Sequence, residues 1–141
     1  MHAHISVITL AVKDLHAAFA FYQEGLGLNS AGIIGTEFEH GAVAFFDLQH
    51  GLKLALWPQD SLSHDTGIST SAFCPTQMSL GHNVNSTAAV DQIMQQAQRA
   101  GAKTIKPAQP TFYGGYAGYF QDLDGHLWEI VYNPHFSCLS A

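Results

Sequence analysis

Charge is what this sequence is short of. Only 11% of its 141 residues are Asp, Glu, Lys or Arg, less than half of the roughly 25% usual for a soluble chain. Five are basic and eleven acidic, a net charge of −6, so the basic face that nucleic-acid binding needs is not expected. Disorder requires high charge and few aromatics, and here aromatics make up 11%. Cysteine is nearly missing: Cys74 and Cys138 stand far apart, outside any Cys-x-x-Cys spacing. Neither a disulfide framework nor a structural zinc site is expected from them. Proline is scarce, and no apolar run nears the roughly 18–20 residues of a membrane span. The opening Met1-His2-Ala3-His4 lacks the basic and apolar stretches of a secretory signal. These absences predict a reduced, cytoplasmic chain with neither nucleic acid nor membrane as a partner. Apolar residues, by contrast, reach 47%, enough to bury a core in one domain of this length. Histidine is the unusual abundance, nine residues, and histidine is both a common metal ligand and a common general base.

The order of elements repeats. Residues 5–12 (ISVITLAV) form a β-branched apolar run that reads as a strand. Asp14 follows as a candidate N-cap, and Leu15, Ala18, Phe19, Tyr22 and Leu26 recur at helical spacing. Three strand-like pieces come next, over 30–39, 42–48 and 52–57, separated by His40-Gly41 and Gln49-His50-Gly51. A polar stretch over 59–76 reads as a linker. Residues 77–84 are then a strand, Ser86 a second N-cap, and Val90, Ile93, Met94 and Ala97 a second amphipathic helix closed by Gly101. Strands over 103–106, 115–122 and 126–132 complete the second half. Gly51-Leu52-Lys53-Leu54-Ala55-Leu56 also matches Gly125-His126-Leu127-Trp128-Glu129-Ile130 near the end of each half. An internal repeat of this kind governs a whole fold. The expected class is α+β, with one domain over 1–141 built from two βαβββ modules, about 4–58 and 77–134. Their curved mixed sheets form a cup. Strand alternation then sends Val7, Thr9 and Ala11 to the cleft and Ile8, Leu10 and Val12 to the helix. In the second module Ser79, Gly81, Leu127, Glu129 and Val131 face the cleft, and Leu80, His82, Trp128 and Ile130 the helix.

Two stretches carry a family resemblance: ITLAVKDLHAAFAFYQEGLGL over 8–28 and GGYAGYFQDLDGHLWEIVYNP over 114–134. Together they resemble the opening and closing motifs of the vicinal oxygen chelate superfamily, the glyoxalase I, bleomycin-resistance and extradiol-dioxygenase group. The resemblance implies a paired βαβββ fold, a homodimer, and a small-molecule site in each cup. Its metal-dependent members hold a divalent ion with four positions, which fall here on Val7, Ala55 (Lys53 if the register slips by two), Ser79 and Glu129. Only Glu129 is a ligand type. Zinc sites use three or four protein ligands and harder ions need several oxygens, so neither a metal nor another cofactor is expected.

Glu129 is then the one carboxylate facing an apolar cleft, suited to act as a general acid or base or simply to recognise a ligand. Trp57 shares its parity with Ala55, and Phe112, Tyr113, Tyr116 and Tyr119 cluster before the last strand. Such aromatics commonly wall small-molecule pockets. The residues expected to bind a ligand are therefore Val7, Thr9, Ala55, Trp57, Ser79, Tyr113, Tyr116 and Glu129. The histidines read mostly as structural: His82 and His126 on or near the helix side, His2 and His4 at the terminus, and His40, His50, His64 and His135 in turns or loops. The leading reading is a metal-independent binder of an apolar or aromatic small organic molecule. It either sequesters the molecule or performs lyase- or isomerase-type proton transfer with Glu129. Competing readings are a metal-dependent lyase or dioxygenase whose non-standard site uses loop histidines, and a structural or regulatory binding dimer.

Overall fold

Each half of the chain builds one sheet from the same succession of elements. The computed structural model describes residues 1–69 and 77–135, and both cysteines lie outside the described residues. The chain divides into two units, Met1–Phe73 and Cys74–Ala141. The first contains β1 (Val7–Val12), α1 (Leu15–Ala20) running on into a π-helical turn at Phe21–Gly25, β2 (Ser30–Ile34), β3 (Val43–Asp47), β4 (Lys53–Pro58) and α2 (Gln59–Thr66). The second contains β5 (Ser79–Asn83), α3 (Thr87–Arg99), β6 (Lys103–Pro110), β7 (Tyr116–Gln121) and β8 (Leu127–Tyr132). The strand orders are β1-β4-β3-β2 and β5-β8-β7-β6. In each sheet the first strand lies parallel to the last and the other pairings are antiparallel. The repeat read from the sequence is thus a repeat of topology.

Local chemistry explains why the helices start where they do. The Asp14 carboxylate accepts the Ala17 N–H at 3.0 Å, and the Ser86 hydroxyl accepts the Ala89 N–H at 3.1 Å, each satisfying a donor that has no partner inside its helix. Burial then fixes which face each sheet presents. In the first unit Leu10, Val12, Phe46, Leu54 and Leu56 are buried, and Phe46 meets Phe19 and Tyr22 at ring-centroid distances of 5.6 and 5.9 Å. This is the face that α1 covers. In the second unit Val90, Met94 and Ala97 of α3 are buried with Phe120 and Ile130, and Phe120 stacks on Trp128 at 6.2 Å. Fully burying one such side chain stabilises a fold by about 1.5–3 kcal/mol.

Three segments differ from the expectation. Strand β2 ends at Ile34, not near residue 39, because Gly35 (φ 76°) turns back until its backbone lies against that of Gly41. The polar stretch after β4 opens with α2, which Gly67 closes in the left-handed conformation at φ 73°. Strand β6 runs on to Pro110 rather than stopping near residue 106. It is the edge of its sheet, where the missing N–H of a proline breaks no ladder on the open side.

Candidate functional site

Strand register sorts the expected ligand-binding residues by face. In the first sheet Thr9 lies opposite Ala55 and Val7 opposite Lys53, while Phe45 lies opposite Ala55. These residues, with Trp57, occupy the face turned away from α1. Val7 is 43% exposed, whereas Ala55 is buried. The Lys53 ammonium is committed to an ion pair with Asp47. Trp57 is fixed from outside the strands: its Nε1–H donates to the His40 carbonyl at 3.1 Å. His40 in turn places Nδ1 3.2 Å from the Ser61 hydroxyl of α2 and stacks on His64 at 4.3 Å with the rings 14° from parallel. Two of the four histidines expected in turns or loops, His40 and His64, therefore meet each other, and His40 braces Trp57.

In the second sheet Glu129 sits at the centre of the face turned away from α3. Its strand β8 lies between β7 and β5, with Tyr119 opposite on one side and Gly81 on the other. Tyr119 and Glu129 are thus direct cross-strand neighbours on one face. Burial first, then the nearby Glu129 carboxylate and Tyr113, push the Tyr119 phenol above the usual tyrosine range. On the other side, a Cβ built on Gly81 would find only Glu129 Oε2, at 4.0 Å. Leu127 and Val131 flank Glu129 on the same face, Val131 being buried. Ser79 lies one pair along, opposite Leu127, and is exposed.

Tyr116 does not belong with these residues, and the expectation for it is corrected. It has the opposite parity to Tyr119 and pairs with Tyr132, and its hydroxyl donates to Asp91 of α3 at 2.9 Å. That bond, with slight desolvation and the Asp91 charge, raises its pKa. Tyr113 packs edge-on against Phe112 at 5.2 Å. Tyr119 and Gly81, the cross-strand neighbours of Glu129, are outside the ligand-binding set expected from the sequence. Hairpin register identifies Tyr119, because it and Glu129 stand equally far from Asp124 along the chain.

The internal repeat also fixes which residue of the first module corresponds to Glu129. Thr9 pairs with Ala55 as Gly81 pairs with Glu129, so Ala55, and not Lys53, is its counterpart. The donor set at Val7, Ala55, Ser79 and Glu129 does not fit a divalent ion. Two of the four side chains have no lone pair, Ser79 offers a neutral hydroxyl, and Glu129 is the one carboxylate. Among the described residues, no group of three or more His, Cys, Asp and Glu is placed to hold a metal. His82 shares the α3-side parity of Ile130, and desolvation lowers its pKa. His126 is buried against Asp122. No described helix is long and apolar enough to cross a membrane.

Comparison with known proteins agrees with this geometry. The family model for the Glyoxalase/Bleomycin resistance protein/Dioxygenase superfamily matches residues 4–130. A glyoxalase-related enzyme from Fulvimarina pelagi is similar at 34% identity and a TM-score of 0.78, over 94% of this chain and 89% of that one. The genomically encoded fosfomycin resistance protein FosX from Listeria monocytogenes, solved with Mn(II) and a dihydroxypropylphosphonic acid, is 26% identical. The match covers 92% of this chain and 90% of that one at a TM-score of 0.66. Lactoylglutathione lyase from Agrobacterium tumefaciens shares the fold at 21% identity and a TM-score of 0.68, over 95% of this chain and 98% of that one. No curated protein matches the sequence.

Proposed function

Because the chain belongs to the Glyoxalase/Bleomycin resistance protein/Dioxygenase superfamily, we propose that it is a metal-independent member binding an apolar or aromatic small organic molecule around Glu129. The observation that carries this reading is the place of Glu129 on the open face of its sheet, between Tyr119 and Gly81. The four strands of that sheet put no second carboxylate and no imidazole on its face. A single carboxylate beside Leu127 and Val131 is a recognition or proton-transfer group, not a metal cradle. When the bound molecule offers an acidic C–H or O–H, a Glu129 oxygen takes the proton and returns it to another atom of the same molecule, an isomerisation with no net redox change. When it offers none, the same pocket sequesters the molecule. The low cysteine content supports a cytoplasmic setting, and the family resemblance supports a homodimer with a site in each subunit.

The test is a ligand-detected and protein-detected NMR screen of neutral aromatic probes such as benzyl alcohol and indole, run with and without strong chelator. The expected result is binding that shifts the Leu127 and Val131 methyls, survives chelation and weakens in Glu129→Gln. Turnover that survives chelation but vanishes in Glu129→Gln assigns proton transfer, and binding without turnover assigns sequestration. A stoichiometric, tightly held divalent ion that Glu129→Gln releases would overturn the reading.

A further inference from the structure

The two sides of Glu129 are unlike, and the difference bears on what kind of molecule completes the site. Towards β7 the carboxylate has Tyr119 as its cross-strand neighbour. Towards β5 it leans over Gly81, where the space a side chain would fill is open but for Oε2 itself. A carboxylate is an acceptor only, with about four lone-pair sites. Neither strand paired with β8 carries a basic residue on this face, although the chain has five. Its five basic residues are Lys13 and Lys53 in the first unit and Arg99, Lys103 and Lys106 in the second. Lys103 and Lys106 stand on β6, opposite Gln121 and Tyr119, with β7 between them and Glu129. Arg99 ends α3, on the other face. The Lys53–Asp47 and His126–Asp122 ion pairs do not involve Glu129.

A wholly apolar occupant would therefore cover carboxylate oxygens without replacing the water it removes, which leaves a desolvated charge unpaired. An anion would meet like charge as well. We infer that the ligand carries a protonated amine beside its apolar body, with the ammonium over Gly81 donating to Glu129 Oε2 and the body against Leu127 and Val131. This rests on the proposed reading of Glu129 as a ligand-binding residue and narrows it to a substrate class, aryl- or alkylamines. The net charge of −6 also draws cations to the protein as a whole.

Three probes of one shape test the charge: benzylamine, benzyl alcohol and benzoate, titrated into the full chain at pH 7 and followed through the Leu127 and Val131 methyls. Benzylamine is expected to bind roughly tenfold tighter than benzyl alcohol, the margin of a charge-assisted over a neutral hydrogen bond, and benzoate more weakly than either. Glu129→Gln should bring benzylamine down to the affinity of benzyl alcohol. Gly81 lies in an exposed strand without a positive φ, so Gly81→Val should fold and lose benzylamine, whereas Gly81→Ala should keep most of it. Equal binding of benzylamine and benzyl alcohol, both weakened by Glu129→Gln, overturns the amine inference and leaves the reading of Glu129 standing. Failure of all three probes to bind, or affinities indifferent to Glu129→Gln, overturns both.

Discussion

His126 and Asp122 form a buried pair, Nδ1 to Oδ2 at 2.7 Å, with side chains only 5% and 1% exposed. The same carboxylate accepts the backbone N–H of Asp124 at 2.9 Å and of His126 at 2.8 Å. One side chain thus satisfies three donors in the turn between β7 and β8, and so sets the hairpin register that brings Tyr119 opposite Glu129.

Removing that carboxylate should be expensive. Asp122→Ala leaves buried donors without their acceptor, and each such loss costs about 1–3 kcal/mol. The expected destabilisation is about 3 kcal/mol in urea unfolding, with Asp122→Asn losing roughly half as much because one oxygen remains. A loss below about 1 kcal/mol for Asp122→Ala would show that the turn does not depend on this residue.

The raised pKa of Tyr119 makes a prediction at high pH. The folded state holds the phenol proton more tightly than the unfolded chain, whose tyrosines ionise near pH 10. Its contribution is therefore fully present below about pH 10 and is lost as pH rises through the folded value. The stability gap between the wild type and Tyr119→Phe should be constant from neutral pH upward and shrink above about pH 10. Tyr116 is also raised, by its bond to Asp91, but it is common to both proteins and cancels in the difference. Urea unfolding of the pair across that range is the measurement, and a gap that widens with pH contradicts it.

Packing of α3 on its sheet depends on Gly118 having no side chain. A Cβ there would lie 3.0 Å from Met94 Cε and 3.1 Å from the Ala108 backbone nitrogen. The methionine end can swing aside, but the backbone of β6 cannot, so Gly118→Ala should cost about 1–3 kcal/mol. A variant as stable as the wild type would mean that β6 moves freely against β7.

How much of this was legible depended on whether the signal was local. Asp14 and Ser86 cap their helices as their residue types suggest, and the alternation in β1 and β8 assigns Val7 and Glu129 to their faces. Helix α2 gave no such signal, because its one buried residue is Ser61, and a helix without an apolar stripe has no period to detect. Pro107 and Pro110 read as breaks because their tolerance on β6 depends on its place at the sheet edge, which is a tertiary fact. Glu129 was legible by parity, but Tyr116 was grouped with it by proximity in sequence, and only the hairpin register separates Tyr116 from Tyr119. The meeting of His40 with His64 joins a turn to a helix that the sequence pattern did not contain.

That meeting yields the last prediction. His40 holds a left-handed backbone at φ 56°, an unusual conformation outside glycine, and is kept there by Ser61, by the stacked His64 ring and by Trp57 Nε1–H on its carbonyl. His64→Ala takes away the stacking face, worth about 0.5–1.5 kcal/mol for a ring pair, and loosens the carbonyl that anchors Trp57. In a Trp128→Phe background, where Trp57 is the remaining tryptophan, emission should move to longer wavelength as the indole gains water. His64→Phe keeps a ring at that position and should restore the wild-type emission. An unchanged spectrum in His64→Ala would show that the histidine stack and the indole are independent, and that Trp57 is positioned by its strand alone.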